Sequence, residues 1–237
     1  METVKRNGSI LNVGFHSSWL LAVSTTLAFA LGMMAIPPAG PYCPANCMSY
    51  PFPDILQYFP RDYFWMYASI IQLCVFIVFM VANHFNTAVE KKIFSSISLS
   101  FTIITATVLM VDYFVQFSVV PISVMHGQTE GIPLLTQYNG HGVFIALEEL
   151  GFTIMSLAFF FLALSISDQG RMDKVVRWIL FTPLLVNIVA FIVYSVQYGL
   201  YRDYRYEVVA ITINWLVSIV AGVLLSIRYR REKTIKK

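Results

Sequence analysis

The sequence is short of charge. Asp, Glu, Lys and Arg make up 12% of its 237 residues, about half the roughly 25% typical of soluble domains. A further 57% of the chain is hydrophobic. A water-soluble chain of this size has nowhere to put so much apolar surface, whereas a bilayer removes the problem. Other absences narrow the chemistry. No lysine lies within an apolar run, which sets aside a retinal Schiff base. The zinc motif H-E-x-x-H and the phosphate-cradling glycine motifs are missing, and nothing marks a nucleophile. No basic face with interleaved aromatics suggests nucleic acid. No internal repeat is visible, and the long apolar runs lack the period-2 alternation of a membrane barrel.

What is present is a set of six apolar segments, each near the 20 or so residues needed to cross a bilayer as a helix. They run roughly Ser17–Pro37, Tyr63–Phe85, Ser96–Val120, Gly142–Ser165, Val175–Tyr198 and Val208–Ile227. The expected fold is an all-α polytopic bundle forming one membrane domain over residues 1–237, with the lipid bilayer as its surroundings. The apolar run of the first segment exceeds the 7–15 residues of a signal h-region, so it is expected to be retained as a span.

Orientation follows from the basic residues. Lys5, Arg6, Lys91, Lys92, Arg171, Lys174, Arg177, Arg228, Arg230, Arg231, Lys233, Lys236 and Lys237 fall on one side of six spans, and Arg61, Arg202 and Arg205 on the other. Thirteen against three places both termini in the cytoplasm of a cell-membrane protein. The basic tail 228–237 reads as a topology anchor touching anionic head groups.

The first outer loop, about 38–62, holds six of the ten prolines, which excludes a long helix there. Its aromatics suit the interface, and it is expected to cap the outer mouth of the bundle. Cys43 and Cys47 lie in this loop on the expected oxidising side, so a short disulfide is the leading reading. Free thiols and redox catalysis are the alternatives; Cys74, alone in span 2, offers no second reactive pair.

Ionisable and amide residues inside the spans carry the functional reading. In span 3, Ser98, Thr102, Thr105, Leu109, Asp112 and Gln116 alternate four and three apart and share a face, with Ile103, Val108 and Phe114 opposite. Asp112 is roughly 12 Å below the outer end at about 1.5 Å per residue. Span 4 carries Glu148 and Glu149, which point about 100° apart. Glu149 shares a stripe with Gly142, Ala146, Thr153 and Ser156 and is taken as the interior acid. Glu148, with His141 seven residues earlier, is taken to face a neighbouring helix or the cavity mouth. Asn187 and Tyr194 in span 5 and Asn214 in span 6 lie at a similar level.

Apart from Arg177 at the very start of span 5, no lysine or arginine lies within a span to pair with these acids, and acids at that depth are costly unless they serve a cavity. The candidate ligand-binding set is therefore Asp112, Gln116, Glu148, Glu149, His141, Asn187, Tyr194 and Asn214. The expected ligand is small or lipid-like, a cation among the candidates, with transport or sensing as the consequence. One alternative is an intramembrane enzyme acting on a lipid through carboxylate acid–base chemistry. Another is a scaffold whose polar residues only pack helices. His141 with the acids is thin as a zinc site, and neither metal nor cofactor is expected.

Overall fold

In a bilayer core no water satisfies a bare amide, so apolar runs this long coil into helices. In the computed structural model, which describes residues 8–35, 37–168 and 170–235, all regular structure is helical. The long helices are α1 (Gly8–Met34), α2 (Phe64–Asn86), α3 (Lys92–Ser118), α6 (Val143–Ser165), α7 (Arg171–Tyr198) and α8 (Asp203–Ile235). Each is long and apolar enough to cross a membrane. Two short helices, α4 (Val120–Met125) and α5 (Ile132–Leu135), lie between α3 and α6. Lys5, Arg6, Lys236 and Lys237, counted above for orientation, lie outside the described residues.

The helices form a closed ring in chain order. Each packs on the next, α8 returns to α1, and α6 also touches α8 across the middle. Short connections from α2 to α3, α6 to α7 and α7 to α8 make those pairs antiparallel. At one end of the bundle the start of α1 meets the ends of α2 and α8: Tyr229 packs on Gly14, and its hydroxyl donates to Asn83 Oδ1 at 3.2 Å. The opposite end carries the proline-rich loop and is called the cap end.

Small residues set the helix spacing, as expected where apolar lipid supplies no force to drive helices together. A Cβ on Gly222 of α8 would stand 2.7 Å from the Ser18 carbonyl oxygen and 3.1 Å from the Ala22 side chain of α1. Most serine and threonine hydroxyls inside the helices donate to carbonyls of the preceding turn, as Thr102 does to Ser98 at 2.9 Å. One such bond repairs a defect. Pro183 has no amide hydrogen for the Ile179 carbonyl, and the Thr182 hydroxyl donates to that oxygen instead at 2.7 Å.

The alternating face of α3 is arranged as its spacing predicts. Ser98, Thr102, Thr105, Leu109, Asp112 and Gln116 are buried, while Ile103 and Phe114 are exposed on the flank suited to lipid. Helix boundaries extend beyond the apolar runs. α1 begins nine residues early because Leu11 and Gly14 also pack inside, and α8 continues helically into the basic tail as far as Ile235. There Arg228 pairs with Asp173 and Glu232.

The proline-rich loop contains no long helix, only single turns at Ile55–Tyr58 and Arg61–Tyr63. It builds a second, small apolar cluster: Ala39, Phe52 and Ile55 pack with Val120, Ile132 and Tyr138 of the other connection at this end. The cap is therefore made from two loops. Cys43 and Cys47 are joined by a disulfide. Gly40 adopts a positive φ of 74° against the Tyr204 ring, leaving no room for a side chain.

Candidate functional site

Beneath the cap lies a cavity of about 210 Å³. At about 30 Å³ per water that is room for roughly seven waters, too large for a packing defect and smaller than a drug-sized pocket. α1 contributes Phe29, Gly32 and Met33 to its wall, the cap Tyr42 and Tyr138, α2 Trp65, α6 Phe144 and Glu148, and α8 Tyr204, Glu207, Ile211 and Trp215. Asp62, in the turn before α2, also lines it. Seven aromatic rings, among them Phe144 and Tyr204, share the wall with aliphatic side chains. Trp65 stands edge-on to Trp215 at 6.1 Å and to Tyr113 at 5.1 Å, and Phe29 edge-on to Trp215 at 5.8 Å. The chamber has a flank toward the exterior, because Met33 in its wall is 73% exposed.

Two carboxyls meet at its deep side. Glu148 and Glu207 are 1% and 7% exposed, and their carboxyls lie close enough to interact. The Tyr113 hydroxyl donates to Glu148 Oε1 at 2.9 Å. Among the described residues neither glutamate forms an ion pair with lysine or arginine. Asp62 differs: it is held by Arg61 at 2.7 Å and receives the Tyr138 hydroxyl at 3.4 Å. Burial, with Tyr63 and Asp62 close by, pushes the Tyr138 phenol above its usual range. Tyr42 is raised too, chiefly by burial and then by Tyr194. Both phenols are thus neutral hydrogen-bonding groups at neutral pH.

The expected site set divides. Of the eight residues, Glu148 alone lines the cavity. The interior acid of span 4 is therefore Glu148 and not Glu149. The Glu149 carboxylate turns to Arg202 at 2.8 Å, whose guanidinium also lies 4.8 Å over the Phe191 ring. Arg202, just past the end of α7, is the basic partner that counting charges inside spans overlooked. Asp112 and Glu149 do not form a joint site. Asp112 is buried behind the cavity wall, next in sequence to Tyr113, and its Oδ2 has no hydrogen-bond partner among the described residues.

The amides hold structure together. Gln116 donates to the Leu135 carbonyl at 2.8 Å and accepts the Gln137 amide at 2.9 Å, tying the second loop to α3. Asn187 and Asn214 both donate to Ser156 Oγ, at 2.6 and 3.1 Å, so one hydroxyl joins α6, α7 and α8. His141 is exposed at the cap end with its ring 6.1 Å from Tyr201, and Tyr194 is half-buried beside Tyr198. Among the described residues no group of three His, Cys, Asp or Glu side chains is placed to hold a metal.

Glu207 and the aromatic wall were not singled out from the sequence. A signal existed: Glu207, Ala210 and Asn214 share one stripe of α8, three and four apart. Compared with known proteins, the chain matches no family model, no curated protein and no solved structure.

Proposed function

We propose that this membrane protein binds a small organic cation, an amine or quaternary ammonium group, in the chamber beneath the cap. The observation that carries the reading is the buried pair Glu148–Glu207 in the wall of a cavity that also presents seven aromatic rings. A charged side chain costs about 2.5–3.5 kcal/mol at the centre of a membrane helix; Glu148 and Glu207 stand nearer the ends, in the second turns of α6 and α8, but both are buried. Two such acids without a base among the described residues are therefore expensive as mere packing. Indole and phenol faces attract cations for about 0.5–2 kcal/mol each, tryptophan most strongly, and Trp65, Trp215, Tyr42 and Tyr204 line the same space. A chamber of about 210 Å³ suits a head group better than a whole lipid. The exposed flank at Met33 gives an attached apolar chain a way out to the surroundings.

For orientation, the reading keeps both termini in the cytoplasm and the cap outside the cell membrane. Thirteen of sixteen basic residues at the end bearing the termini support it, as does a disulfide in the cap. The ligand then meets the chamber from the outer half of the bilayer or through the cap.

The test compares choline with its neutral carbon analogue, 3,3-dimethylbutanol, on the full chain in dodecyl maltoside. Tryptophan fluorescence reports occupancy, because Trp65 and Trp215 line the cavity. Choline is expected to bind at least about ten-fold more tightly, the worth of roughly 1.4 kcal/mol of cation recognition. Equal binding of the two, or no binding of either, would overturn the reading.

A further inference from the structure

We infer that the bound cation takes the place of a proton, so that the Glu148–Glu207 pair exchanges one organic cation for one proton. The inference rests on the cation-binding reading above and adds what must leave when the ligand arrives.

A carboxylate only accepts, so two carboxyls bonded to each other must hold a proton between them. Glu148 and Glu207 are neighbouring buried carboxyls in one wall with no base beside them among the described residues, and two such groups cannot both stay ionised, so the pair shares a proton. With one proton the pair carries a charge of minus one. When a cation settles between both carboxylates and the proton departs to water, the pair and its guest again total minus one. No O–H bond remains in the pair, and no other bond is made or broken. The charge of the site is unchanged, which matters where burying a net charge is costly. Adding the cation while keeping the proton would change that charge. So would losing the proton without a replacement.

The surroundings leave the exchange to this pair. From α3, Tyr113 donates to Glu148, and Asp112 lies behind it. From the turn before α2 comes Asp62, already engaged by Arg61. Tyr42, Tyr138 and Tyr204 face the chamber as phenols, and α1 presents Phe29, Gly32 and Met33, none of which titrates. On α6 itself Glu149 is matched by Arg202. From α7, Tyr194 is the phenol close to Tyr42. Among the described residues no lysine or arginine lines the chamber.

Choline is a suitable probe because its quaternary nitrogen has no proton to give, so any proton released comes from the protein. The full chain in dodecyl maltoside, weakly buffered with an indicator dye, is titrated with choline chloride. One proton is expected per choline bound, and by linkage the affinity rises about ten-fold per pH unit while the pair is protonated. In Glu148→Gln an amide permanently imitates the protonated partner, so this pH slope should flatten and the affinity fall at least ten-fold. Glu207→Gln repeats the test should the first variant fold poorly, and the proton count on the unaltered chain needs no variant. Binding without proton release overturns the exchange and leaves the cation-binding reading standing. A slope that survives both glutamine variants and vanishes in Asp112→Asn also overturns it, because the proton then belongs to Asp112. If choline does not bind at any pH, both readings fall.

Discussion

Replacing Ser156 by alanine isolates the seam that joins α6, α7 and α8. The Ser156 oxygen accepts the Asn187 amide at 2.6 Å and the Asn214 amide at 3.1 Å. Asn214 keeps two further acceptors, the carbonyls of Phe152 and Ala210 at 3.0 and 2.8 Å. Asn187 keeps none, and its Oδ1 already has no partner among the described residues. Interhelical hydrogen bonds in membranes average about 0.6 kcal/mol and reach about 1.7. Losing two therefore costs about 1–3 kcal/mol. Unfolding by sodium dodecyl sulfate in mixed micelles, followed by circular dichroism, measures that loss. The sharper quantity is the coupling. Asn187→Leu should cost less in the Ser156→Ala background than in the parent, by about 0.6–1.7 kcal/mol, because its bond is already gone. Choline affinity should stay within about two-fold, since none of these three residues lines the chamber. Additive costs, to within about 0.3 kcal/mol, would refute the seam. A large loss of choline binding at unchanged stability would return Asn187 and Asn214 to the ligand.

Two other changes test the frame around the site. Gly222→Val should destabilise the bundle by about 1–3 kcal/mol in the same assay, because even a Cβ would press on the Ser18 carbonyl; a neutral result would mean α1 and α8 are not held this closely. After reduction in intact cells, Cys43 and Cys47 should react with a membrane-impermeant maleimide, while Cys74 on the apolar flank of α2 should not. Labelling of the cap cysteines only after permeabilisation would invert the proposed orientation.

The spans were legible because a run of about twenty apolar residues has one economical structure in lipid. The buried face of α3 was legible for a related reason: alternating steps of three and four residues repeat the helical period, so residues from Ser98 to Gln116 had to share a side. The choice between Glu148 and Glu149 was not legible. A helical period fixes their angle to each other, but not which neighbours stand on either side. The small-residue stripe that pointed to Glu149 faces α7 and α8, where Thr153 bonds the Tyr206 hydroxyl at 2.8 Å and Arg202 reaches the carboxylate. Arg202 sits beyond the end of α7, so a tally of bases within apolar runs misses it. Prolines announced a cap without a long helix. They did not announce that Tyr138, a hundred residues on, would share its core with Phe52 and Ile55.

The polar groups of this bundle fall into three classes by what satisfies them. Hydroxyls such as those of Thr102 and Thr182 answer to carbonyls of their own helices, so each can sit in an apolar setting at little cost. Amides and one acid are satisfied between elements: Asn214 and Asn187 through Ser156, Gln116 through the second loop, Glu149 through Arg202. These are consumed by the fold, and a guest would have to break them to use them. Glu148 and Glu207 belong to neither class. Glu148 receives the Tyr113 hydroxyl, but no base meets either acid among the described residues, and in the proposed reading a shared proton settles the pair beside the cavity. A proton is the one partner in that inventory able to leave without loosening a helix, and this is why the chemistry is assigned to the pair and not to the larger number of polar residues around it.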